Sequence, residues 1–173
     1  TAEESAFSVV LPGRSERMPC NTADESSPLI ILDGAHNQDK LDAAVYALMN
    51  CKQMRANTPR ICVFGALGAK AGLNLAKPLI NQFDLIIVTE PQVFGKPPSP
   101  ASNTALLFKK AGCPVEIIPN PQDALTRAIA CADSHGTVFA TGSFYLIGDL
   151  RERFYPTEQI VLQRTSFPKQ LRN

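Results

Sequence analysis

The stretch PLIILDGAHN, residues 28–37, decides how this chain is read. Pro28 to Leu32 is a continuous apolar run, which suits a strand buried on both faces. Asp33 emerges where that strand ends, Gly34 permits a tight turn, and Asn37 can cap a following helix. Leu41, Ala44, Val45, Leu48 and Met49 then recur at helical spacing, so a helix is expected over 38–54. Its N-terminus carries unpaired N–H groups and a partial positive charge, which favour phosphate or carboxylate. His36 adds a hydrogen bond or a charge at the same place. On spacing alone the plainer alternative stands equally: Asp33 and Asn37 merely cap, and His36 is a surface residue.

Outward from this unit the pattern repeats. Apolar strands are expected at 7–11, 60–65, 84–89, 115–118 and 136–141, with helices at 101–111, 121–134 and 142–154. Asn120 followed by Pro121 is a cap with proline at the first helical position. The stretch 73–82 is helical but interrupted by Pro78. Residues 15–27 read as a loop or hairpin, and 91–100, with four prolines, as a loop. From Tyr155 no period is clear, apart from a short strand at Gln159 to Leu162. Alternating strands and helices imply a Rossmann-like, doubly wound α/β domain over residues 1–154, with a tail over 155–173. Its mostly parallel sheet should hold about six strands, with helices on both faces. Ligands of such sheets sit beyond the carboxyl ends of the strands.

Three more corners fall at that edge. In TGSFY (141–145), Gly142 lets the backbone turn closely and Ser143 places a hydroxyl among N-terminal amides, a second anion-binding geometry. An ordinary Ser N-cap explains the same residues. Thr141 and Tyr145 stand where a nucleophile elbow needs glycines, so a Ser hydrolase is disfavoured. In FGALGAK (64–70) the glycine spacing is neither GxGxxG nor GxxxxGK[ST], but Lys70 can reach a carboxylate at the sheet edge. In LPGR (11–14) an arginine fixed after a Pro-Gly turn suits a phosphate or a nucleotide edge. A solvated side chain is the bland reading of both Lys70 and Arg14.

Composition narrows the function. A chain of 173 residues with 45% hydrophobic and 19% charged content is one globular domain that needs no disulfide or metal staple. Net charge is +1 without a basic stripe, which argues against nucleic acid and anionic membranes. No run approaches the ~18 apolar residues of a membrane span. The five cysteines are odd in number and lack a CxxC pair, so buried thiols in a reducing cytoplasm are expected. Two histidines alone argue against a zinc site. Thr1 opens the chain in place of Met, which suggests a fragment or a processed chain.

In order, PGR, ILDGAHN (31–37), FGAL with a following Lys, and TGSFYLIGDLR (141–151) resemble the C-terminal domain of the folylpolyglutamate synthase/dihydrofolate synthase family, within the Mur ligase superfamily. The resemblance runs over residues 7–153. It implies an ATP-dependent ligase that activates a substrate carboxylate as an acyl phosphate and joins it to the amine of L-glutamate, on a folate or dihydropteroate. It implies that Arg14 and Asp33 hold the nucleotide and that His36 is catalytic where acyl phosphate meets glutamate. Asn37, Lys70, Ser143 and Phe144 would bind glutamate. ATP and Mg²⁺ would be held mainly by a central P-loop ATPase domain, N-terminal to this one. No GxxxxGK[ST] loop occurs here, so the domain alone should not ligate. The sequence departs from the family pattern at Gln38, at Ala69 and Ala71 around Lys70, and at Gly95-Lys96-Pro97-Pro98, where the family often carries an arginine. Two other readings stay open: a non-catalytic Rossmann-like binding module, and the C-terminal domain of another Mur-type amino-acid ligase.

Overall fold

The computed structural model describes residues 11–19, 27–68 and 73–164. Six strands form one sheet: β1 (Glu16–Arg17), β2 (Leu29–Leu32), β3 (Arg60–Phe64), β4 (Leu85–Val88), β5 (Val115–Ile117) and β6 (Thr137–Thr141). Their spatial order is β1-β2-β6-β3-β4-β5. The expected mostly parallel sheet is present. Only β1 runs antiparallel, pairing Glu16 with Leu32 and Arg17 with Ile31. The expected strand at 7–11 falls, apart from Leu11, outside the described residues.

Side-chain alternation divides the core in two. Ile31, Cys62, Phe64, Ile86, Val88 and Phe139 point to one face. There they meet α1 (Gln38–Met49), the short α2 (Leu73–Ala76) with its 3₁₀ extension Lys77–Leu79, and α3 (Ala101–Lys110). Ile30, Leu32, Ile61, Val63, Ile87, Val138 and Ala140 point to the other face, against α4 (Pro121–Ala132) and α5 (Phe144–Arg151). A sheet covered on both faces explains why its strands are apolar throughout and why the helices carry only one apolar stripe. Burial pushes the Cys62 thiol far above the ordinary cysteine range, which makes it an inert packing residue.

Two expectations change. Gln159 to Leu162 lies in a helix, α6 (Thr157–Gln163). Ile160, Val161 and Leu162 are consecutive rather than alternating, and the Glu152 carboxylate accepts from Thr157 N at 3.0 Å as the helix begins. The stretch 73–82 is one α-helical turn followed by a 3₁₀ turn. Pro78 has no N–H to continue the α ladder. The reading of 15–27 as a loop or hairpin agrees with the antiparallel pairing of β1 with β2; residues 20–26 lie outside the described residues. Among the described residues, no helix is long and apolar enough to cross a membrane.

Candidate functional site

β6 lies between β2 and β3, and the chain leaves β6 toward the face opposite the one it takes after β2 and β3. After β2 it enters α1 on one face; after β6 it enters α5 on the other. Such a divergence opens a crevice at the carboxyl ends of the strands. The segments beyond β2, β3 and β6 meet there. Gly142 N donates to Ala35 O at 3.0 Å, and Gly65 N donates to Thr141 O at 3.2 Å.

Local rules place the caps. Asn37 Oδ1 accepts from Lys40 N at 3.0 Å at the start of α1. Ser143, buried at 4% exposure, accepts from Tyr145 N at 3.2 Å at the start of α5. Both residues therefore use their side chains to cap. The first-turn amides of α5 that a helix leaves without an internal acceptor face the same corner.

Asp33 is a buried joint. Its Oδ2 accepts from Ser15 N at 2.8 Å and from Ser15 Oγ at 3.1 Å, and its Oδ1 accepts from Ala35 N at 2.8 Å. With Gly34 N donating to Gly13 O at 2.7 Å, these bonds fasten the Pro12–Ser15 turn to the end of β2.

The Phe144 ring ties the corner together. The Arg14 guanidinium lies 5.2 Å from its centroid, and the His36 ring lies 5.7 Å from it. Gly34 abuts the same ring: a Cβ there would fall 2.3 Å from Phe144 Cδ1. Gly34 was expected to serve a tight turn. Its φ is outside the left-handed region, and the requirement for glycine comes from the aromatic ring packed on it.

His36 Nδ1 lies 2.9 Å from Gly34 O. A carbonyl only accepts, so Nδ1 carries the proton, and the lone pair of the neutral ring is on Nε2. Lys40 Nζ donates to it at 3.3 Å, one helical turn along. His36 and Ser143 do not hydrogen-bond each other, and a Ser–His hydrolase pair is not formed.

His36, Ala66, Leu67 and the Gly142–Tyr145 segment enclose a cavity of about 150 Å³. That is below the ~300–1,000 Å³ that encloses a drug-sized ligand, so this site suits a small ligand or part of a larger one. A wider hollow of about 630 Å³, lined by Met54–Arg60 and Asp84, lies at the opposite, amino-terminal end of the strands.

Of the residues singled out in the sequence, Arg14, Asp33, His36, Asn37, Ser143 and Phe144 converge on this corner; Lys70 lies outside the described residues. Sequence reasoning missed three contributors. Ser15 anchors Asp33, and Tyr145 forms part of the cavity wall. Glu16, 1% exposed, accepts from Gly13 N at 2.7 Å and from Arg151 Nε at 3.0 Å, so it ties the Arg14 turn to α5. Its position between Ser15 and Arg17 in a polar stretch gave no sign of burial. Among the described residues, no three His, Cys, Asp or Glu side chains converge as a metal site.

A doubly wound sheet with two capped helix starts meeting at its switch point defines an α/β domain of the class whose ligands sit beyond the carboxyl ends of the strands. The chain belongs to the Mur ligase family: the family's model, described as "Mur ligase, glutamate ligase domain", matches residues 13–144. Among solved structures, the chain matches the C-terminal region of folylpolyglutamate synthase/dihydrofolate synthase. Mycobacterium tuberculosis folylpolyglutamate synthase, complexed with ADP and AMPPCP, is 25% identical with a TM-score of 0.67, over 85% of this chain and 33% of that one. E. coli FolC in complex with DHPP and ADP is 22% identical, TM-score 0.65, over 91% and 33%. A Yersinia pestis bifunctional folylpolyglutamate synthase/dihydrofolate synthase with Mn, AMPPNP and L-glutamate bound is 20% identical, TM-score 0.67, over 84% and 32%. The chain thus spans about a third of the length of these proteins. No curated protein sequence matches it.

Proposed function

We propose that this chain is the glutamate- and nucleotide-contacting C-terminal domain of an ATP-dependent carboxylate–amine ligase of the folylpolyglutamate/dihydrofolate synthase type. The observation that carries the reading is the convergence of Arg14, His36 and the Ser143–Phe144 corner around one aromatic ring and one small cavity at the switch point. Residues 1–154 form the ligase domain and 155–173 its tail, working in the cytoplasm. Alone the domain is inactive. A P-loop ATPase domain elsewhere in the enzyme holds the ATP phosphates and Mg²⁺. Asp33 is a poor metal ligand, since protein donors already occupy both its oxygens.

The roles follow from the geometry. Asp33 fixes the turn that presents Arg14, and the exposed Arg14 guanidinium meets the nucleotide. The α5 amides beside Ser143 and Phe144, together with Asn37 and Lys70, bind glutamate carboxylates. Once the exposed Lys40 Nζ swings off it, the His36 Nε2 lone pair takes the proton that the attacking amine loses as it forms the amide. The rest of the catalysis is positional: amine and acyl phosphate are held together and the developing charge is balanced.

The test is ATP-dependent incorporation of labelled L-glutamate into dihydropteroate or a folate, by a polypeptide that joins this domain to its P-loop domain. His36→Ala and Ser143→Ala should each lower kcat by ~10²-fold. Incorporation of a different amino acid would move the domain to another branch of the Mur-type ligases. Activity indifferent to both substitutions would leave a binding module.

A further inference from the structure

The His36 ring is held at three points. Nδ1 donates to Gly34 O at 2.9 Å, and the Phe144 ring stands tilted against it with centroids 5.7 Å apart. Nε2 accepts from Lys40 Nζ at 3.3 Å. The third hold comes from an exposed side chain in the first turn of α1. Helix electrostatics gives no reason for a lysine there, because the positive end of the dipole disfavours a cation. Among the described residues no carboxylate pairs with its ammonium. Asp39 and Asp42 stand one and two positions away, where helix side chains do not face each other. Asn37, one turn back, gives its Oδ1 to Lys40 N. The imidazole is the acceptor left to Lys40 Nζ.

This contact covers the one lone pair that the neutral ring offers. Nε2 cannot take a proton while an ammonium donates to it, and an imidazolium there would repel that ammonium. The hold is also easily lost. A bond from an ammonium to an oxyanion has charge on both partners, and such bonds are about twice as strong as neutral ones. An oxyanion within reach of the lysine stem therefore draws Lys40 off the imidazole. The ligase reaction brings one there. The amine that His36 deprotonates attacks the carbon of an acyl phosphate, so base and phosphoryl group meet at the same nitrogen.

We propose that Lys40 is a positioning residue for His36, which holds the Nε2 lone pair covered and releases it when phosphoryl oxygens draw the ammonium away. The proposal rests on the reading of His36 as the base of the ligase reaction. The base is thereby freed only when an acyl phosphate is there to be attacked. The step balances without a further reactant. The C–N bond forms, the bond from the acyl carbon to the phosphate oxygen breaks, and phosphate leaves with that electron pair. The proton of the amine passes to Nε2, and Lys40 stays protonated throughout, paired with the departing phosphate.

The test uses the chain itself, labelled with ¹⁵N at its two histidines. Two readouts report on Nε2 of His36: its nitrogen shift, and the rate at which diethyl pyrocarbonate acylates the ring at pH 8, above the ordinary imidazole range. Lys40→Met should move the shift toward that of a free acceptor and raise the rate about three- to tenfold, the scale of one hydrogen bond. Lys40→Arg should keep the wild-type values. His135, exposed and bonded to Arg55, is the internal reference and should not respond. Inorganic phosphate should bring wild type to the Lys40→Met values and leave Lys40→Met unchanged, while potassium chloride at equal ionic strength should do neither. Equal shifts and rates in wild type and Lys40→Met would overturn the hold. A hold that phosphate does not relieve would overturn the release. The base reading fails separately, through a His36→Ala ligase that keeps its kcat, and the purpose of Lys40 falls with it.

Discussion

Glu16→Gln should lower the unfolding free energy by about 3–5 kcal/mol, the usual cost of breaking a buried ion pair from one side. Glu16 is 1% exposed, and the Arg151 side chain is 14% exposed. Both Glu16 oxygens lie 3.0 Å from Arg151 Nε. The amide of the variant removes the carboxylate charge that faces a mostly buried guanidinium. It also weakens the acceptor for Gly13 N, which sets the turn carrying Arg14. Replacing both partners by Met should recover part of the loss, because exchanging a buried ion pair for apolar side chains removes its desolvation cost along with its attraction. Urea denaturation of the three variants checks this. A loss for Glu16→Gln below ~1 kcal/mol would put the pair in the class of surface ion pairs and remove the tie between β1 and α5.

Gly142→Ala comes next in size, for a steric reason. Gly142 has φ +109°, a conformation that L side chains rarely adopt, and a Cβ would lie 2.7 Å from Gly65 O and 2.9 Å from Phe64 Cε2. Neither obstacle can swing away: one is backbone after β3, the other a core ring at 1% exposure. Strained backbone and overpacking each cost roughly 1–3 kcal/mol. Together they should lower the melting temperature by about 4–24 °C for a domain of this size. Gly148→Ala is the matched control. It sits within α5 with nothing within 4 Å of its Cβ, so it should stabilise by ~0.5–1 kcal/mol. Calorimetry of the pair separates a demand at the corner from a general effect of removing glycine. Equal behaviour of the two variants would mean that the close approach of the β3 and β6 segments is not needed.

These two positions show what the sequence could and could not carry. The buried strands were legible because parallel pairing covers both faces and leaves unbroken runs such as Leu29–Leu32 and Leu85–Val88. Caps were legible because they are local: Asn37, Asn120 and Ser143 each satisfy an amide two or three residues ahead. Gly142 was legible as a turn residue for the same reason.

What stayed hidden is non-local. Glu16 meets its partner 135 residues away. The ring that demands glycine at position 34 belongs to residue 144. The two-residue β1 is too short for any period, and α6 presents an apolar run that a helix and an edge strand share equally.

The ligand face we propose for this domain is the carboxyl edge of β2, β3 and β6. The direct measurement is a backbone NMR shift map of the chain on adding L-glutamate and a non-hydrolysable ATP analogue. Shifts are expected at Gly13–Ser15, Asp33–Asn37 and Gly142–Tyr145, with the wider hollow at Met54–Arg60 unaffected. Shifts confined to Met54–Arg60 and Asp84, at the opposite end of the sheet, would contradict it.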